Sequence, residues 1–275
     1  TGACGCCHPC TGTPGCCVAA AYSRALSAQY GHSVFDGGTS FPQVGQTQLN
    51  ILFQCIRNAR AASGLPACNT TVVVALSFQH RARVRGPLHV ALFPGAWNPP
   101  TVAHLAIARA ALSWSDEVVW LLPRTFPHKS FDGAPFEDRL LMLRRIADDH
   151  AEFSVAIADR GLYVEMADEA RDFFGPAPEI ALLCGRDAAE RIAGWDYGRP
   201  GVFDRMLESY SLLVAGRDGD YLPASRHADR VIQLPMGTGF DEVSSTEVRD
   251  RIRRGVSWRH LVPASIAETA ASLYS

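Results

Sequence analysis

Two stretches of the sequence bring small, polar and cationic residues together in an order that suits phosphate chemistry. In FPGAWNPPTVAHL (93–105), Gly95 permits close approach of backbone to a ligand, and Pro99 and Pro100 stiffen the turn. Thr101 stands where a helix N-cap stands, so the amides of the next turn are directed at the preceding strand end and can receive an anion. His104 falls one turn into that helix, where a short imidazole can donate to a phosphate. In VSSTEVRDRIRRG (243–255), Ser244, Ser245 and Thr246 precede a helix that carries Arg249. Three hydroxyls, helix-start amides and a guanidinium one turn later make a cradle for a polyphosphate. A purely structural reading competes for the second stretch: a capping box, with Ser244 bonding forward and Glu247 bonding back. That reading leaves the first stretch unexplained.

The elements that must position these residues follow from hydrophobic periodicity. Strand-like runs at 88–93, 117–122, 153–157, 179–183 and 210–215 alternate with helical stretches at 102–112, 136–149, 164–174 and 188–192. Alternation of this kind predicts an α/β fold, a doubly wound, Rossmann-like parallel sheet with helices on both faces and ligands beyond the carboxyl ends of its strands. The charged, Gly/Pro-ended segment RARVRGP (81–87) predicts a division between a smaller N-terminal α/β domain (1–84), with a helix at 46–62 and a strand at 70–77, and a larger domain at 88–275.

Composition narrows the classes. Lys+Arg of 26 against Asp+Glu of 28 gives no bulk attraction to nucleic acid or to an anionic membrane, so neither is expected as a partner and phosphate binding must be local. No apolar run long enough to span a bilayer and no signal peptide is visible, which places the chain in the cytoplasm. It opens with Thr1 rather than Met, so its natural start is left open. Six of nine cysteines (Cys4, Cys6, Cys7, Cys10, Cys16 and Cys17) crowd the first 17 residues. An odd count argues against a complete disulfide framework. Cys4, Cys6, Cys7, His8 and Cys10 have zinc-binding donor types, but no second knuckle follows, and no metal site is expected.

The motifs also carry a resemblance. FPGAWNPPTVAHL is similar to the G-x-F/W-N/D-P-x-T/H-x-x-H signature of the nucleotidylyltransferases, and VSSTEVR to their I/V-S-S-T-x-x-R signature. Between them, PHKSFDGAPFEDRLLML (127–143) and LLCGRDAAERIAGWDYG (182–198) resemble segments of the nicotinate/nicotinamide mononucleotide adenylyltransferases. The resemblance implies adenylyl transfer from ATP to a pyridine mononucleotide, with pyrophosphate leaving, in NAD biosynthesis, and with Mg²⁺ brought by ATP. It implies that the amides of Gly95 and Ala96 reach the phosphates, that His104 stabilises charge at the α-phosphate, and that Ser245, Thr246 and Arg249 hold the β and γ groups, with Thr101 and Ser244 in the same ATP-binding set. Gly185 and Asp187 fall on the adenosine side; Trp97, Asn98, Lys129 and Trp195 fall on the mononucleotide side, Trp195 stacking on the pyridine ring.

Alternatives stand beside several of these roles. Asp187 is equally suited to cap the following helix, Trp195 is also suited to pack in the core, and Arg139 is as suited to pair with Glu137 or Asp138 neighbours as to face the cleft. Thr101 replaces the first histidine of many relatives, which leaves His104 as the sole imidazole, and Arg186 stands where a small residue is common. A phosphopantetheine or flavin-type acceptor, or a nucleotide-binding sensor without turnover, are the competing functions. Nicotinate versus nicotinamide preference and association into a homo-oligomer are left open. In the first 80 residues, TPGCCVAAAYSRAL (13–26) and TTVVVALSFQHRARVRG (70–86) weakly resemble the nicotinamide-nucleotide amidases; without an assignable nucleophile, a degenerate, non-catalytic copy is expected.

Overall fold

The computed structural model describes residues 76–127, 133–216, 219, 221–237, 239–240 and 242–275. The amidase-like residues 13–26 and 70–75, the cysteine cluster, the helix at 46–62 and Lys129 lie outside the described residues.

Strands form where apolar runs are short and bounded by turn residues. They are β1 (Ser77–His80), β2 (His89–Pro94), β3 (Glu117–Pro123), β4 (Phe153–Ala158), β5 (Glu179–Gly185), β6 (Ser211–Ala215) and β7 (Val231–Leu234). Their order in the sheet is β1-β4-β3-β2-β5-β6-β7, with β1 antiparallel to β4 and every other pair parallel. The central strands are buried along their length, as parallel strands covered on both faces must be.

Alternate side chains serve opposite layers. Ala91 and Phe93 of β2 pack beneath α1 (Val102–Ala111), α2 (Phe136–Asp148) and the C-terminal helices α6 (Ser245–Arg253) and α7 (Ala267–Tyr274). Val90 and Leu92 pack beneath α3 (Tyr163–Phe174), α4 (Arg186–Ala193) and α5 (Val202–Ser209). The chain winds from β2 outward to β4, then crosses through α3 to β5 and winds the other way. The order therefore reverses between β2 and β5, and their carboxyl ends frame a crevice where ligands bind in sheets of this kind. The doubly wound parallel fold expected from the sequence is the one observed.

The division read at 81–87 does not fall outside the sheet. β1 precedes it, and Phe78 packs on Phe173 and Phe174 of α3, with ring centroids 4.4 and 5.8 Å apart. Arg81 lies 4.3 Å over the Phe78 ring and reaches the buried Glu117 carboxylate at 3.5 Å. Ser154 Oγ donates to Glu117 at 2.6 Å and accepts from the Ala82 amide at 2.8 Å. Burial pushes the Glu117 carboxyl above its ordinary range, and the Ser154 hydrogen bond and the Arg81 charge oppose that shift. A segment that looked like a linker because it is basic thus neutralises a buried acid at the base of β3. Among the described residues no helix is long and apolar enough to cross a membrane.

Candidate active site

Pro94 ends β2, and the next residues turn over the sheet edge. The Gly95 amide donates to the Leu121 carbonyl at 3.1 Å, continuing the ladder to β3, so the expectation that this amide reaches a phosphate is not met. Glycine is needed here for another reason. A Cβ would stand 2.7 Å from the Trp97 ring, which is folded beneath it. Trp97 has φ 54°, in the left-handed region that costs a residue with a Cβ on the order of 1 kcal/mol. It is held there by burial, by an indole hydrogen bond to the Leu121 carbonyl at 2.7 Å and by packing on Phe93 and Trp120, each ring 4.8 Å away. Rather than displaying its face to a ligand, Trp97 supports the loop and sets its edge against the His104 ring at 5.3 Å.

Thr101 is fully buried and takes no place on the cleft wall; it caps α1. Its Oγ1 accepts from the His104 amide at 3.4 Å, and its own amide donates to His104 Nδ1 at 3.0 Å. A backbone N–H can only donate, so Nδ1 is the acceptor nitrogen and the hydrogen sits on Nε2. The expected ATP contact at Thr101 is replaced by this indirect one: it orients the imidazole and fixes its tautomer. His104 lines the cleft.

At the second motif, Ser244 caps α6 by accepting from the Glu247 amide at 3.1 Å. The return half of a capping box is missing, because the Glu247 carboxylate takes Arg251 Nε at 2.6 Å. The Ser245 hydroxyl and the Arg249 guanidinium turn toward the β2 loop instead. Ser245 Oγ donates to the Pro99 carbonyl at 2.8 Å, and Arg249 donates to the Asn98 carbonyl at 2.6 Å and to Thr246 Oγ1 at 3.3 Å. Two motifs some 150 residues apart are therefore joined at one wall.

Asn98 is the hub of that wall. Its Oδ1 accepts from the Ala134 amide at 3.1 Å and from the Tyr274 hydroxyl at 2.6 Å. Its amide lies so close to Gly133 that a Cβ there would meet Asn98 Nδ2 at 2.0 Å. The side chain expected to meet the mononucleotide is thus committed to the protein. Arg139 is buried, donates to the Ala134 carbonyl at 3.1 Å and the Ala96 carbonyl at 2.9 Å, and lies 5.6 Å from the Phe136 ring centroid. Sequence reasoning missed Tyr274, whose partner lies 176 residues away and leaves no local signal.

The resulting cleft, about 570 Å³, is lined by Gly95, Ala96, Trp97, Asn98 and His104 of the first motif and by Ser244, Ser245, Thr246 and Arg249 of the second. Gly185 and Asp187 at the β5 end close it. Gly185, not Asp187, is the N-cap of α4, which removes the capping alternative for Asp187 and leaves its exposed carboxylate in the first turn, 3.8 Å from Arg186. A second cavity of about 190 Å³ adjoins it through Pro94, Gly95, Ala96, Tyr163, Ala188 and Arg191. Its walls are largely apolar and aromatic, with Phe126, Met166, Ile192, Trp195 and Tyr197. Trp195 is partly buried and belongs to this pocket rather than to either core cluster. Among the described residues no group of three or more His, Cys, Asp or Glu is placed to hold a metal.

A polar cleft at the switch between β2 and β5, with a flat aromatic pocket opening from it, has the form of a site for a phosphorylated nucleotide and a second ring. The cytidylyltransferase-like family matches residues 92–251. A probable nicotinate-nucleotide adenylyltransferase of Anaeromyxobacter dehalogenans is 34% identical over 190 residues, covering 66% of this chain and 92% of the relative. Another, of Salinibacter ruber, is 33% identical over 189 residues, covering 64% and 92%. The solved structure of Plasmodium falciparum nicotinic acid mononucleotide adenylyltransferase complexed with APC aligns with a TM-score of 0.49 and 16% identity over 68% of this chain and 96% of that one. The chain belongs to the cytidylyltransferase-like family of nucleotidyltransferases and, within it, to the nicotinate-nucleotide adenylyltransferases.

Proposed function

We propose that the chain transfers the AMP part of ATP to a pyridine mononucleotide, in the cytoplasm, completing a dinucleotide and releasing pyrophosphate. The observation that carries this reading is the joining of the two remote motifs at one wall, His104 from α1 and Ser245, Thr246 and Arg249 from α6, beside an aromatic pocket of separate character.

A 5′-phosphate oxygen of the mononucleotide attacks the α-phosphorus of ATP; the bond from that phosphorus to the α,β-bridging oxygen breaks, and pyrophosphate carries the electron pair away. No protein nucleophile is required, so positioning and charge stabilisation supply the catalysis. His104 Nε2–H, its tautomer fixed by the Thr101 amide, donates to the α-phosphate as charge builds. Arg249, already oriented by the Asn98 carbonyl, and the Thr246 hydroxyl, whose hydrogen is left available, receive the departing β and γ groups, which Ser245 joins when its hydrogen leaves the Pro99 carbonyl. Asp187 reaches the adenosine side, and Trp195 lays its indole against the pyridine ring. ATP enters as its magnesium complex. Asp187 is the one carboxylate among the described residues lining the main cleft, so a magnesium ion arriving with ATP would be held mainly by phosphate oxygens and water.

The test is a steady-state assay of pyrophosphate release with ATP and Mg²⁺ and, in turn, nicotinate and nicotinamide mononucleotide. Dinucleotide formation with at least one is expected. Absence of pyrophosphate with both, from a folded protein, overturns the reading.

A further inference from the structure

Arg139 is costly to bury. It stands in the first turn of α2 and is 4% exposed, and burial pulls its guanidinium below the ordinary value while the nearby Tyr274 opposes that shift. An apolar side chain would fill the same space without losing water. What a guanidinium adds is a rigid fork of N–H groups, and here the fork spans two segments: Nε donates to the Ala134 carbonyl at 3.1 Å and Nη1 to the Ala96 carbonyl at 2.9 Å. Both carbonyls adjoin the site. Ala96 lines the phosphate cleft, and the Ala134 amide donates to Asn98 Oδ1, so Asn98 and Arg139 together hold both polar groups of Ala134. Phe126, on the wall of the ring pocket, lies 5.8 Å from the guanidinium carbon.

The Ala96 carbonyl is one half of a peptide whose other half is the Trp97 N–H. That bond is trans and planar, so its N–H and C=O point in opposite directions. With the carbonyl turned to the buried guanidinium, the Trp97 N–H is turned away from it, toward the cleft that Ala96 and Trp97 line. Among the described residues nothing accepts from this N–H, whereas the Gly95 amide is committed to the Leu121 carbonyl. A buried backbone N–H needs an acceptor, and Trp97 is 3% exposed, so its partner must come from the cleft. Phosphate oxygens are acceptors of the kind the cleft is built to receive.

We propose that Arg139 is a positioning residue for the transfer: by holding the Ala96 and Ala134 carbonyls it fixes the Ala96–Trp97 peptide with its N–H presented to the phosphate oxygens of ATP. Arg139 itself touches no reacting atom. The proposal rests on the adenylyl-transfer reading above. A donor held in advance needs no rearrangement as charge develops, and a misplacement of about 1 Å can cost on the order of 10²-fold in rate.

Two substitutions and one measurement without turnover test it. Arg139→Met removes both hydrogen bonds and fills most of the space, whereas Arg139→Lys keeps the charge on a compact head that lacks the planar fork. At a temperature well below melting, kcat should fall by about tenfold or more in Arg139→Met and by less in Arg139→Lys, with KM for the mononucleotide within about threefold of the parent. In ¹⁵N-labelled protein the Trp97 amide resonance should move when ATP and Mg²⁺ are added to the parent without acceptor, and that response should be lost in Arg139→Met and weakened in Arg139→Lys. A folded Arg139→Met with kcat within about twofold of the parent would overturn the proposal, as would a Trp97 resonance that ATP leaves in place in the parent. Should Arg139→Met fail to fold, Arg139→Lys decides: a lowered Tm with unchanged kcat and an unchanged Trp97 response would make the residue merely structural. Failure of the parent to release pyrophosphate with either mononucleotide would instead sink the functional reading, while a Trp97 response lost in the variants would still assign that amide's placement to Arg139.

Discussion

The two cavities of the crevice are built by different means. The wall that carries His104 and Arg249 is held by hydrogen bonds between remote segments: Asn98 receives Arg249, Ala134 and Tyr274, and Arg139 ties Ala96 to Ala134. The ring pocket is lined mainly by apolar and aromatic side chains, Phe126, Met166, Ile192 and Trp195 among them. Hydrogen bonds fix direction, and direction is what charge stabilisation at a transferring phosphorus requires. Apolar packing fixes shape within looser limits and suits recognition of a flat ring, where a stacked face suffices. Substitutions in the first wall should therefore act on kcat, and those in the second on KM for the acceptor.

His104→Ala should show the largest effect, lowering kcat by about 10²-fold or more with the melting temperature nearly unchanged, since it removes a donor whose worth is realised as charge develops. Near-normal turnover would leave the rigid wall without its proposed purpose. Next comes Arg249→Ala. Loss of charge-assisted hydrogen bonds worth roughly 1.5–3 kcal/mol predicts a fall in kcat/KM for ATP of between about tenfold and a hundredfold. Because the guanidinium acts in both ground and transition states, KM and kcat should both move; unchanged ATP kinetics would return α6 to a scaffold. Trp195→Ala tests the other side. Stacking against an aromatic ring is worth about 1–3 kcal/mol, so KM for the mononucleotide should rise roughly tenfold while KM for ATP stays put. A drop in kcat at saturating acceptor would dissolve the contrast between the cavities.

What was legible in the sequence divides along the same line. Strand and helix alternation was readable because the inner strands are continuous apolar runs, and the phosphate residues were readable because each motif is local, a strand end or cap followed by a helix turn. The local reading went too far at Gly95 and Thr101, whose polar groups are taken up by β3 and by His104. Edge strands were harder. β1 and β7 are four residues each and only partly buried, so neither carries a strong period, and β1 was placed on the far side of a boundary it does not respect. Residues that act through distant partners gave little signal: Arg139 was weighed between its helix neighbours and the cleft rather than the two carbonyls it holds, and Tyr274 had no motif to mark it. Tertiary approach, not propensity, gives these residues their roles.

Tyr274→Phe probes that last class and should have the smallest effect of the series. Its hydroxyl is a donor at any working pH, because burial pushes the phenol well above its ordinary range. Asn98 Oδ1 keeps the Ala134 amide when the hydroxyl is removed, so the acceptor is not orphaned and the loss should be about 1 kcal/mol, a fall of roughly 2–4 °C in Tm. If the fixed wall exists to hold direction, the freed Asn98 loosens the carbonyl that orients Arg249, and kcat should fall by about two- to fivefold at a temperature well below melting. Leu273→Ala, one residue away on α7 and partly buried against the same layer, supplies the control: it should lower Tm at least as much by packing loss while leaving kcat alone. Should both variants lose stability and neither lose turnover, the hydrogen bonds around Asn98 serve folding only, and the distinction between a directed phosphate wall and a packed ring pocket would have to rest on His104 and Arg249 themselves.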